Sequence, residues 1–144
     1  MRALCRDMSA ARGVQVVFAD GRIPSSIDPE ISLCVDRITQ EALRNVARHS
    51  RASQATVRLR NERGQLLLEV ADSGVGFNVR AGHEGLGLVS MRERVAFLRG
   101  RLGIQTRPGG GTRIPVRIPL GQAAVETPPV SRAAPAHIGR AHAT

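Results

Sequence analysis

The sequence predicts an α/β chain of the α+β kind, in which helices and a sheet share one domain. Three observations predict it. Residues 29–49 and 88–99 repeat apolar side chains at helical spacing. Five short runs rich in Val, Ile and Leu read as strands. Two of those runs, 54–60 and 65–71, flank a tight turn and form a hairpin, so part of the sheet is antiparallel. A length of 144 residues suits one domain with a real core.

Residues 1–13 place Leu4, Cys5 and Met8 at helical spacing and stop at Gly13, as the last turns of a helix would. They are expected to be the end of a preceding helix or linker in a longer parent, with the domain itself at 14–120. Val14 to Phe18 reads as a strand, with Val14, Val16 and Phe18 on one face. Asp28 is a good N-cap and Pro29 a good first helical residue, so a helix is expected from Pro29 to His49. Ile38, Ala42 and Val46 form its apolar stripe. Glu41, Asn45 and His49, each four residues apart, line its edge.

The strand at 65–71 is the more continuously apolar of the hairpin pair and therefore the more central. Residues 72–87 are too rich in Gly for a helix or strand and are expected to be a mobile loop, acting as a lid. Leu88, Met91, Val95 and Leu98 make the stripe of the second helix, which Gly100 ends. A strand at 102–106, a turn at 108–111 and a last strand at 112–120 follow. Pro115 and Pro119 fall on the outer set of that strand, so one of its edges should lack a full ladder. Residues 121–144, rich in Ala and Pro without periodicity, are expected to be a disordered tail.

Composition excludes several functions. All 21 basic residues are Arg, so neither a P-loop Lys nor Schiff-base chemistry is available. There are three Phe and no Trp or Tyr, which argues against base-stacking platforms. The formal charge of +9 comes from scattered Arg. It fits an anionic nucleotide or an acidic partner better than nucleic acid. Cys5 and Cys34 make no CxxC or zinc spacing and read as free thiols of a reducing compartment. No apolar run is long enough to span a membrane, and the expected location is cytoplasmic, with no membrane contact by this chain.

Four constellations could carry chemistry. The first is Glu41, Asn45, Arg48 and His49, where Asn offers a neutral oxygen suited to Mg²⁺ and Arg a phosphate contact. The second is Asp72-Ser-Gly74-Val-Gly76-Phe after an apolar strand, which lets backbone approach a flat ligand while a carboxylate accepts a hydrogen bond. The third is Gly85-Leu86-Gly87-Leu88 at a helix start, whose free N–H groups suit phosphate. The fourth is Gly109-Gly-Gly-Thr112. Each also reads as ordinary surface or turn chemistry when taken alone.

Their order resembles the GHKL ATP-binding superfamily, and most closely the catalytic domain of sensor histidine kinases of the nitrate-sensor and degradation-sensor type. The strings RITQEALRNVARHSRAS, VADSGVGF, GHEGLGLVSMRERV and GGGTRIPVRIPL carry the resemblance from about Gly13 to Leu120. It implies a Bergerat-type fold, a mixed and largely antiparallel sheet packed on a helical layer. It implies Asn45 as the Mg²⁺ ligand and Glu41 as the acidic residue beside the metal, these two being the catalytic pair. Arg48 and His49 would lie near the phosphates. Asp72 would accept from the adenine amine, with Gly74 and Gly76 shaping the pocket and Thr112 supporting Asp72. Gly85, Leu86, Gly87 and Leu88 would close the phosphate end, with His83 in the lid.

The implied cofactors are ATP and Mg²⁺. The implied activity is donation of the γ-phosphoryl to a His on a dimerisation and phosphoacceptor domain, which the residues before Gly13 are too few to hold. A response regulator follows indirectly. The alternative keeps the fold as a stand-alone regulatory module, either an anti-sigma-like protein kinase or a non-catalytic ATP binder. A nucleic-acid-binding module with chance glycines is the remaining alternative.

Overall fold

The computed structural model describes residues 1–76 and 85–121. In chain order the elements are α1 (Arg2–Arg12), β1 (Gln15–Gly21), α2 (Pro29–Asn45), a π-helical turn (Val46–Ser50), β2 (Gln54–Glu62), β3 (Gln65–Asp72), α3 (Leu86–Phe97), β4 (Arg101–Leu102), β5 (Gln105–Thr106) and β6 (Thr112–Pro119). The strands make one sheet in the order β1-β2-β3-β6-β4, and β5 also pairs with β6. Only β1 and β2 are parallel, joined through α2; every other pair is antiparallel. This is the mixed, largely antiparallel sheet packed against helices that the sequence predicts.

Alternation decides which side of the sheet the helices cover. Ala55, Val57 and Leu59 of β2, Leu66, Leu68 and Val70 of β3, and Ile114, Val116 and Ile118 of β6 are all buried on one face. Against them pack Ile31, Cys34, Val35, Ile38, Ala42 and Leu43 of α2, and Leu88, Met91 and Val95 of α3. The opposite face carries charge: Glu69 stands between Arg58 at 3.6 Å and Arg113 at 3.7 Å. Asp28 caps α2 by accepting from Glu30 N–H at 2.8 Å, with Pro29 in the first turn, as the sequence predicts. Buried Thr39 keeps its hydroxyl satisfied by donating to Val35 O at 2.8 Å within the helix.

The hairpin turn between β2 and β3 is two residues, Arg63 and Gly64, both with positive φ (52° and 75°). That is the primed-turn geometry whose twist matches the flanking strands. β3 is central, as its apolar run predicts, between β2 and β6. The strand expected at 102–106 is split into β4 and β5. Pro115 explains the split: it has no N–H to give to that edge, and only its carbonyl serves, accepting from Gly103 N–H at 2.8 Å.

Two helix boundaries differ from the sequence expectation. α3 runs from Leu86 to Phe97, not from 88 to 99. The left-handed residue after it is Arg99 (φ 56°), not Gly100. Gly100 is required for closeness: a Cβ there would lie 2.5 Å from Arg117 O and 2.8 Å from Val95 Cγ1. Gly100→Ala is expected to lower stability by about 2 kcal/mol, read from urea denaturation. The second difference is in α2, which is α-helical only to Asn45 and then widens into the π-helical turn.

α1 lies against β1 and α2, with Cys5 2% exposed in the core, and Gly13 ends it in the left-handed region (φ 67°). Arg2 pairs with Asp20 and stands 5.2 Å over the Phe18 ring. Burial pushes the thiols of both Cys5 and Cys34 up from their ordinary value, which leaves them poor nucleophiles. No helix among the described residues is long and apolar enough to cross a membrane. His83, the remainder of the expected lid over 77–84 and the expected tail from 122 onward lie outside the described residues.

Candidate functional site

The inward row of β3 is Leu66, Leu68, Val70, and the next residue of that row is Asp72. The inward row of β6, read backwards, is Ile118, Val116, Ile114, and then Thr112, which pairs with Asp72 in register. Alternation alone therefore carries a carboxylate and a hydroxyl onto the helix-covered face, where the apolar core ends. On the β2 side the partner of Asp72 is Ala55, a small residue. At this end of the sheet lies a cavity of about 360 Å³. Ala42, Val46, Val70, Leu88 and Ile114 give it apolar walls. Asn45, His49, Ser50, Asp72, Gly76, Gly85, Gly87 and Thr112 complete the lining. A concave, mainly apolar site with a few convergent polar groups is the usual form of a small-molecule site.

Asp72 is the best-organised of those polar groups. Its Oδ1 accepts from Ser50 Oγ at 2.5 Å and from Gly74 N–H at 2.8 Å. The second bond is the local Asx geometry by which an Asp at a strand end starts a turn. The first comes from a residue 22 positions away. Gly74 is held against Ser50, since a Cβ on it would fall 1.9 Å from Ser50 Oγ and 2.1 Å from Ser50 O. Gly76, in the left-handed region (φ 61°), faces the β5–β6 turn, where a Cβ would meet Arg107 O at 2.1 Å. The Asp72-to-Gly76 segment is thus clamped between the π-helical turn and that hairpin. Val75 contributes to both clamps: its N–H donates to Ser50 O at 2.8 Å and its carbonyl accepts from Gly109 N–H at 2.6 Å.

The α2 edge reaches the same cavity. Asn45 and His49 line it, while Arg48 is exposed and outside the lining. The π-helical turn adds about one residue per turn to the helix after Asn45, so His49 does not stack over Glu41 and Asn45 as an unbroken α-helix would place it. Glu41 is outside the lining too. Its carboxylate accepts from Arg44 at 2.8 Å and lies against Gly87, where a Cβ would come 2.2 Å from Oε1.

Gly85 and Gly87 open α3 at the cavity wall. Gly85 is the N-cap residue with no side-chain cap bond, and the first turn holds no acidic residue. Among the described residues no side chain caps its first N–H groups, and these, with the positive end of its dipole, suit an anion. Leu88 lines the cavity, whereas Leu86 points to solvent at 89% exposure. Thr112 meets Asp72 through the ladder and not through its hydroxyl, which is 3.1 Å from that of Thr106, the donor to Gly111 O at 3.0 Å.

The donor set suits one kind of metal. Among the described residues no three His, Cys, Asp or Glu side chains converge, so a closed structural site is not built here. Asn45 offers a single hard oxygen at the cavity wall. That fits Mg²⁺, which takes its remaining ligands from phosphate and water.

Of the residues expected from sequence, Asn45, His49, Asp72, Gly76, Gly85, Gly87, Leu88 and Thr112 gather around one cavity. Glu41 and Gly74 stand behind its wall, Arg48 and Leu86 are turned outward, and His83 lies outside the described residues. Ser50 and Thr106 are additions that sequence reasoning missed. Ser50 had a signal, a lone Ser closing the Asn-Val-Ala-Arg-His run, but no periodicity marks it.

A family model described as histidine kinase-, DNA gyrase B- and HSP90-like ATPase matches residues 31–122. The signal transduction histidine-protein kinase/phosphatase DegS of Brevibacillus brevis is 37% identical over 91 residues, covering 62% of this chain and 24% of that protein. The sensor protein VraS of Staphylococcus haemolyticus is 41% identical over 102 residues, covering 70% and 28%. The chain thus spans about a quarter of the length of these relatives. Among solved structures, the histidine kinase domain of the Erythrobacter litoralis EL346 blue-light activated histidine kinase matches with a TM-score of 0.66 at 23% identity, over 82% of this chain and 58% of that one. Full-length ShkA in complex with AMPPNP matches with a TM-score of 0.66 at 18% identity, over 82% and 28%. At these identities the two structures share the fold.

Proposed function

This chain belongs to the histidine kinase-, DNA gyrase B- and HSP90-like ATPase family, and from that premise we propose that it is the Mg-ATP-binding catalytic domain of a sensor histidine kinase. The observation that carries the reading is the Asp72 carboxylate. One of its oxygens is taken by two donors, and the side chain lines a cavity of about 360 Å³ that the start of α3 also lines. An amine-bearing ring suits the carboxylate and an anion suits the helix start. ATP carries both groups.

Asp72 would orient the base, and Gly76 and Thr112 would keep the backbone close to it. Gly85 and Gly87 would offer N–H groups to the phosphates, with His49 alongside. Asn45 would hold Mg²⁺ beside Glu41; the ion supplies charge neutralisation of the triphosphate. Catalysis by such a site is mostly positioning and charge stabilisation. The acceptor would be a His on a dimerisation domain, with a response regulator receiving the phosphoryl group afterwards. The names of the relatives, a signal transduction histidine-protein kinase/phosphatase for DegS and a sensor protein for VraS, support that assignment.

Calorimetric titration of the chain with ATP, with and without Mg²⁺, tests the reading. ATP is expected to bind, and more tightly with Mg²⁺. Asn45→Ala is expected to remove about tenfold of the Mg²⁺-dependent affinity and to leave Mg²⁺-free binding within about twofold. No binding by the parent chain, or an unchanged Mg²⁺ dependence in the variant, would overturn the assignment.

A further inference from the structure

We propose that Ser50 is a positioning residue that makes the cavity selective for a purine bearing its exocyclic amine at C6, where guanine has a carbonyl. It does so by committing one oxygen of Asp72 and leaving the other to the ligand. The inference rests on the nucleotide reading above and deepens it.

Ser50 ends the π-helical turn and is 6% exposed. Its hydroxyl is fixed on both sides. Ala52 N–H donates to Oγ at 3.3 Å, and Oγ stands 2.5 Å from Asp72 Oδ1. The hydroxyl is the donor in that bond. Turning the hydroxyl away would break both bonds. The Ser50 carbonyl, accepting from Val75 N–H at 2.8 Å, pins the backbone as well.

Both donors to Asp72, the Ser50 hydroxyl and Gly74 N–H, fall on Oδ1. No donor among the described residues reaches Oδ2, and Asp72 lines the cavity. The carboxylate therefore presents one open acceptor to whatever enters. A ring amine is met by an acceptor, whereas a ring carbonyl at the same place meets like charge. Removing the hydroxyl leaves Gly74 N–H as the only tether among the described residues, which lets Asp72 turn. Selectivity for the amine should fall even though the carboxylate is still there.

The test compares three probes on the 144-residue chain and on Ser50→Ala by calorimetry. They are ATP, GTP, and purine riboside triphosphate, which carries hydrogen in place of the amine. The parent chain is expected to prefer ATP to purine riboside triphosphate by about tenfold or more, the span of one hydrogen bond to a charged group. In Ser50→Ala that preference is expected to shrink to about threefold or less, entirely by loss on ATP, and the ATP-to-GTP ratio to shrink with it. Ser50→Cys, which keeps a weak donor, is expected to fall between the two and serves if Ser50→Ala does not fold. A variant that keeps the full preference, or that loses both probes equally, overturns the inference by showing a packing role only. A parent chain that binds ATP without preferring it over purine riboside triphosphate overturns the inference and leaves the ATP reading standing. A parent that binds none of the three overturns both.

Discussion

Gly74→Ala is expected to cost about 3 kcal/mol of stability or more. The added Cβ would lie 1.9 Å from Ser50 Oγ, 2.1 Å from Ser50 O and 2.7 Å from Ser50 C. Two of those three atoms are backbone and cannot rotate aside. Moving the segments apart would stretch the Val75 N–H to Ser50 O bond and the Ser50 to Asp72 bond together. Urea denaturation followed by far-UV circular dichroism measures the loss. Gly85→Ala is the control: nothing among the described residues lies within 4 Å of a Cβ there, and its φ of −60° is open to alanine. Its expected cost is below about 1 kcal/mol, a cap preference only. Equal losses in the two variants would contradict the packing described for Gly74.

Asp72→Asn is expected to weaken ATP binding by about a hundredfold while leaving the fold nearly as stable. The side chain keeps its shape. Ser50 Oγ and Gly74 N–H both donate to the Oδ1 position, so the new amide must place its oxygen there. Its NH₂ group is then turned into the cavity. An acceptor facing the ligand amine becomes a donor facing a donor. Calorimetry with ATP reads the loss, and a thermal melt of the same sample separates it from unfolding. Affinity retained within about threefold would mean that the carboxylate does not touch the base. The variant also separates two roles of Asp72, because its turn with Gly74 survives while its acceptor toward the cavity does not.

Much of this site was legible in the sequence, and for local reasons. Asp28 and Pro29 start α2, Gly13 stops α1, and Gly64 closes the hairpin, each through chemistry confined to a few neighbouring residues. Alternation in β3 and β6 carries Asp72 and Thr112 to the covered face without any tertiary information. Pro115 announced a broken ladder, and the sheet is broken opposite it. What failed was equally local in form. The four-residue repeat from Glu41 to His49 assumed an unbroken α-helix, and periodicity cannot register the widening that follows Asn45. The resemblance also implies Leu86 and Arg48 at the site; both are exposed and neither lines the cavity.

By itself, then, the sequence determined the element types and the β2–β3 hairpin, which follow from periodicity, capping and turn chemistry acting over one turn or one strand. The mixed sheet and the residues gathered at its cavity end were implied by the order of the four motifs and their resemblance to a known family. Only the tertiary structure decided how the cavity is wired. The widening after Asn45 brings Ser50 against Asp72 across 22 residues, and Gly74 must be bare for them to meet. Gly100 owes its place to Arg117 O and not to a left-handed turn, which Arg99 supplies. In each case the deciding contact joins segments distant in the chain. Its energy depends on a few tenths of an ångström of packing, which no pattern of neighbouring residues encodes.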